Sequence, residues 1–289
     1  MKQNNTSIKS FVPALPMTFG VGLIACSLLL SAPAQAQIFV SAYLSAPNTQ
    51  TVPGSISGPV SETFDAQSVG AHDYTDADPF ASAIGNYSGR FAVVGDDQYG
   101  TGTGNYFAIG AQSGSSSPVT LTFASPVRYF GMSYNAGDSQ NGFSFYDSDN
   151  NFVGRYSTAT LISVLHGGVG TVTALDNSVY DTSRYYGKPN GAGPTNNNTG
   201  QNSGEPYAFL NFFVDGGGIS KIVFDNSNTQ GSGFESDNHT ISLTAQTPVG
   251  HPFVFVGTAS AAPEPGSVAL LAITLPLAGT FLARRKRSL

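Results

Sequence analysis

Period-two alternation is the strongest pattern in this chain. Residues 119–123 (Val-Thr-Leu-Thr-Phe), 141–146 (Asn-Gly-Phe-Ser-Phe-Tyr) and 239–244 (His-Thr-Ile-Ser-Leu-Thr) set apolar against small polar side chains, as half-buried strands do. Further strands are expected at 62–65, 90–94, 106–111, 127–134, 152–157, 171–175, 207–214 and 221–224. That makes about eleven, separated by Gly, Pro, Asn and Asp clusters. No long stretch of 3.6-residue period survives between the ends, and 158–165 has room for a single helical turn before Gly167-Gly168. The pattern predicts an all-β domain, a jelly-roll-like antiparallel β-sandwich over 62–246. An N-terminal extension at 37–61 precedes it, and a linker or last strand at 247–262 follows. Residues 188–205 hold Ala192 as their one apolar residue and read as a surface loop.

The two ends follow a different pattern. Lys2 and Lys9 precede an apolar run over 17–30, then Ala34 and Ala36 in small-x-small spacing, which predicts a signal peptide at 1–36 with an N-terminal helix, cut after Ala36. Cys26, the one cysteine, follows Leu23-Ile24-Ala25 and also fits an acylation box. If it leaves with the signal, the exported domain is held together without a disulfide. At the other end stand Pro263-Glu264-Pro265, a mostly apolar stretch over 267–283, and Arg284-Arg285-Lys286-Arg287. As a single transmembrane helix the stretch spans roughly 26 Å, slightly short of a ~30 Å hydrocarbon core, and Arg284 can snorkel to close the gap. The basic end stays cytoplasmic and the bulk of the chain faces outward.

Composition narrows the partners. Charged residues are 10% of the chain, Gly reaches 34 residues and Trp is absent, which suits strands joined by turns. Residues 37–262 carry six basic and seventeen acidic side chains, a formal charge of −11. Such a surface repels phosphate backbones, so no nucleic acid is expected, and it favours cations and neutral polymers.

Pro263-Glu264-Pro265, the apolar helix and the terminal basic cluster together resemble the PEP-CTERM sorting tail of exosortase substrates. The resemblance implies passage through the secretion translocon, cleavage by signal peptidase, and transient anchoring in a Gram-negative inner membrane. It further implies processing near Pro263–Pro265 by an exosortase-type enzyme and a final place at the cell surface or outside the cell, often beside exopolysaccharide. A second resemblance rests on Tyr129-Phe-Gly-Met-Ser-Tyr134, Asp138, Asn141, Phe145-Tyr146, residues 207–213 and Gly233-Phe-Glu-Ser-Asp-Asn238. These resemble an uncharacterised PEP-CTERM surface-protein domain, which implies an exported β-sandwich of noncatalytic, matrix- or biofilm-associated function.

The chemistry-bearing residues give three readings. Glu62 and Asp65 near the first strand and Glu235, Asp237 and Asn238 before the last are hard oxygen donors that suit a structural Ca²⁺ if those strands are neighbours; the competing reading is solvated turn carboxylates and an Asx turn. Asp147-Ser-Asp-Asn-Asn151 starts like an EF-hand loop, but Phe152 stands where that loop needs Gly, so a hairpin turn is expected. Tyr185 and Tyr186, beside Arg184 and Lys188, offer glycan contacts for a lectin-like alternative. No His-Glu-x-x-His and no Gly-x-Ser-x-Gly occurs, so no enzyme is expected. A secreted hydrolase is the third function, and it requires two carboxylates facing across a pocket.

Overall fold

A computed structural model describes residues 37–95, 104–115, 117–135, 138–187, 205–226, 232–250 and 252–259. The signal with Ala34 and Ala36, the sorting motif Pro263-Glu264-Pro265, the helix expected at 267–283, the basic end Arg284 to Arg287, and most of the expected surface loop (188–204) lie outside these residues. Among the described residues no helix is long and apolar enough to cross a membrane.

Of the three alternating runs, 119–123 places its side chains as the pattern requires, whereas nearly every residue of 141–146 and all of 239–242 are buried and Leu243 is exposed. In β7 (Val119–Val127), Val119, Leu121 and Phe123 are buried while Thr120 and Thr122 point away. In β14 (Ile219–Asn226), Ile222 and Phe224 go in while Lys221, Val223 and Asp225 stay half-exposed. The described strands are mostly antiparallel and stack as two layers. One runs β10 (Phe152–Ser157), β9 (Asn141–Tyr146), β14, β7 and the start of β5 (Gly85–Val94). The other runs β16 (Val254–Ala259), β1 (Ile38–Leu44), β13 (Ala208–Asp215), β8 (Tyr129–Asn135), β15 (Gly233–Ser242), β6 (Tyr106–Gly110) and the end of β5. Short strands flank this path: β2 (Val60–Glu62) on β15, and β3 (Gly70–Tyr74) and β4 (Phe80–Ser82) on β5. A separate hairpin joins β11 (Thr171–Thr173) to β12 (Val179–Asp181).

Strand β5 belongs to both layers. Asn86–Ser88 pair with β7, whereas Gly89–Val93 pair with β3 and Ala92–Val94 with β6. Gly89 makes the corner: its φ is +114°, and a Cβ there would sit 2.7 Å from the Pro118 carbonyl oxygen. Between the layers lies an aromatic core. Phe143 meets Phe212 at 5.2 Å edge-on, and Phe224 meets Phe234 at 5.8 Å.

Strands β9 and β10 span the expected residues, and the expected helical turn is α1 (Thr158–Leu165), capped by Ser157, whose Oγ accepts from Thr160 N–H. Three expectations change. The segment read as an N-terminal extension contains β1, fully integrated between β13 and β16. Its sequence hides this because nearly every residue is buried, so no alternation shows. The strand expected at 62–65 ends at Glu62, and the chain turns through Phe64 at φ +58°. Glu235, Asp237 and Asn238, read as preceding the last strand, lie inside β15.

Candidate functional site

Strand β15 carries the polar residues of greatest interest. Its register against β8 slips between Asp237 (opposite Ser133) and Thr240 (opposite Gly131), a bulge centred on Asn238 at φ +52°. The extra residue resets the alternation, so Ser236 and His239 both face the core. His239 Nε2 lies 2.8 Å from Ser236 Oγ, and its Nδ1 lies 2.8 Å from Tyr87 Oη. Letting the phenol donate to Nδ1 and Nε2–H donate to Ser236 satisfies both ring nitrogens. The imidazole stacks on Phe224 at 5.2 Å and meets Phe64, Phe107 and Phe130 within 6 Å. Burial drives its pKa down to about 3, so the ring is neutral. A Ser–His pair is the geometry of an activated nucleophile, but Ser236, His239 and Tyr87 are each 0% exposed. A substrate has no path to them, and the trio acts as a polar pin inside an aromatic core.

Of the carboxylates expected to form a calcium site, Glu62, Asp65 and Asp237 share one neighbourhood and Glu235 stands apart from them. Strands β2 and β15 are neighbours, with Glu62 opposite His239, as the calcium reading requires. Yet each acidic group is engaged locally: Glu62 Oε1 accepts from Phe64 N–H (2.7 Å), Asp65 Oδ1 from Asn105 N–H (2.8 Å), and Asp237 from both the backbone and side-chain amides of Asn238 (2.6 and 2.9 Å). Burial, and then the charges of Asp65 and Glu62, push Asp237 up to about 8. Glu235 answers to other neighbours. Gln112 donates to it, and burial together with Glu205 and Asp138 raises its pKa well above the carboxylate range. Among the described residues no group of three or more His, Cys, Asp or Glu is arranged to hold a metal ion. Thermal unfolding in EDTA and in millimolar Ca²⁺ is therefore expected to coincide within about 1 °C; a saturable upward shift with Ca²⁺ would restore the cation reading.

Asp147-Ser-Asp-Asn-Asn151 is the β9–β10 turn. Asp147 Oδ1 accepts from Asp149 N–H (2.9 Å) and Asn151 N–H (2.8 Å), and Asn150 sits at φ +64°.

The glycan contacts expected at Tyr185 and Tyr186 are corrected by burial. These rings are 1% and 7% exposed, and Tyr185 Oη donates to the Ser45 carbonyl at 2.8 Å. A ring that fills the core offers no stacking face. The sequence reading passed over a different aromatic pair on the outward side of β9 and β10. Phe152 is 56% exposed and meets half-buried Tyr146 edge-on at 5.9 Å. The Lys221 ammonium sits 4.2 Å from the Tyr146 ring centre and donates to Asn150 Oδ1.

Two large clefts are bounded by described residues. One, of about 410 Å³ between Pro53, Leu175, Phe213 and Val249, holds a single carboxylate, Asp176. The other, of about 520 Å³ at the open end between the layers near Ile84, Phe123 and Leu243, is lined by no ionisable side chain. Neither has the facing pair of carboxylates that glycoside hydrolysis uses. No protein-family model, curated protein or solved structure matches the chain.

Proposed function

We propose that this chain is a noncatalytic exported protein of the Gram-negative cell surface or extracellular matrix. In this reading it is delivered by its signal, held transiently in the inner membrane by the 267–283 helix, and processed at Pro263-Glu264-Pro265 by an exosortase-type enzyme. The two-layer sheet, which we read as jelly-roll-like, is its working part. The observation that carries the reading is the order of the C-terminal features: Pro-Glu-Pro, a short apolar stretch, then four consecutive basic residues. Burial of the Ser236–His239 pair and the lack of paired carboxylates in both clefts support a noncatalytic role.

The test is to determine both ends of the mature protein by mass spectrometry in the cells that make it. The expected protein begins at Gln37, ends near Pro265 and is recovered from the outer surface or medium. Full retention of Arg284 to Arg287 in the membrane fraction would instead make the tail an ordinary anchor.

A further inference from the structure

The outward side of the first layer carries a row of side chains that runs across five strands. Cross-strand register aligns Phe152 with Tyr146, Tyr146 with Lys221, Lys221 with Thr122, and Thr122 with Asn86. Four gaps of ~4.8 Å make this row about 19 Å long, the scale of several linked sugars. Its ends differ in chemistry. Phe152 and Tyr146 present apolar rings at one end, while Thr122 and Asn86, both exposed, present hydrogen-bonding groups at the other. A single exposed Phe needs no explanation. This one lies in register with a second ring, an ammonium group, a hydroxyl and an amide. Just beside the row, Arg155 holds Asp225 through its two terminal guanidinium nitrogens, Nη2 at 2.6 Å, so its charge is already matched.

Those groups complement a pyranose, which has an apolar C–H face for an aromatic ring and equatorial hydroxyls for donors and acceptors. Charge selects among polymers. The surrounding domain has a formal charge of −11 and repels a polyanion, whereas the row contributes one positive charge, already held by Asn150 and Tyr146.

We propose that this face binds a neutral hexopyranose polysaccharide laid across β10, β9, β14, β7 and β5, with one sugar ring stacked on Phe152. The proposal rests on the reading of the chain as extracellular, where such polymers lie.

Its test uses the full chain, purified in a zwitterionic detergent without a sugar headgroup and titrated with cellohexaose, maltohexaose and hexagalacturonate. Saturable binding of at least one neutral hexaose is expected, and a trisaccharide of the same linkage should bind more weakly. Phe152→Ala should weaken binding about tenfold, an aromatic-stacking effect, and Lys221→Met should also weaken it. Both side chains lie outside the core, so the unfolding temperatures should stay near the parent's. Absence of neutral-hexaose binding, binding of hexagalacturonate alone, or binding untouched by both substitutions would overturn the proposal. Any of these results leaves the export reading standing, since that is decided by the ends of the mature chain.

Discussion

Asp237→Asn is expected to abolish much of the loss of stability that the parent protein shows on going from pH 6.5 to pH 9. Asp237 has its folded-state pKa raised from an ordinary 3.8 to about 8. Between those values the folded state keeps a proton that the unfolded state has released. The stabilisation is complete below 3.8 and is lost as pH rises through 8. His239 acts with the opposite sign, because its pKa falls from 6.5 to about 3. The unfolded chain takes up that proton below 6.5 and the folded chain does not, so stability is lost as pH falls toward 3. From 3.8 to 6.5 the slopes of these two groups offset each other. Above 6.5 the Asp237 slope stands without that offset and amounts to about 2 kcal/mol by pH 8. Glu235, raised in the same direction, adds to it. Unfolding temperatures at pH 5, 7 and 9 measure this directly. An equally steep alkaline decline in Asp237→Asn would show that the group is already ionised in the folded protein.

The second large effect is at His239. His239→Ala removes a ring packed against five aromatic neighbours and leaves Tyr87 Oη and Ser236 Oγ without their shared partner. The expected cost is about 3–5 kcal/mol, as for other large core truncations. His239→Phe separates the two contributions, because it refills the space but strands the Tyr87 hydroxyl, at about 1–3 kcal/mol. Adding Tyr87→Phe should recover much of that loss, since removing both members of a buried polar pair costs far less than removing one. Denaturant melts of the three variants provide the comparison. No recovery in the double variant would mean that the hydrogen bond is incidental to the packing.

How far the sequence reveals this molecule depends on how each element is buried. Strands β9 and β10 and helix α1 are legible to the residue: β9, although buried almost throughout, alternates Phe with small residues in its sequence, and β10 and α1 are bounded by an Asn-rich turn and by Gly167-Gly168. Strand β1 is hidden by burial on both faces, and β3 is hidden by its exposed polar residues at an edge. The neighbourhood of β2 and β15 follows from sheet logic. The bulge at Asn238 does not, since no local signal shows that a residue in an alternating run will be skipped. That single skip places His239 in the core. Tyr185 and Phe152 illustrate a related difficulty: both are aromatic residues beside turns and polar neighbours, and only the tertiary structure shows that the first is buried and the second exposed.

The pairing of β1 also bears on when this chain can fold. Ile38–Leu44 bonds to Ala208–Asp215 and Val254–Ala259, and Val60–Glu62 bonds to β15, so the earliest strands wait for the latest. Contacts of such long sequence separation form slowly, because the intervening loop must close before any pairing compensates for it. In the proposed export, a polypeptide threaded N-terminus first through a membrane pore emerges with its first strand lacking β13 until about 160 residues have followed and lacking β16 until about 210 have. On that reading the second layer closes only late in delivery, because the strands that flank β1 are the last to be supplied.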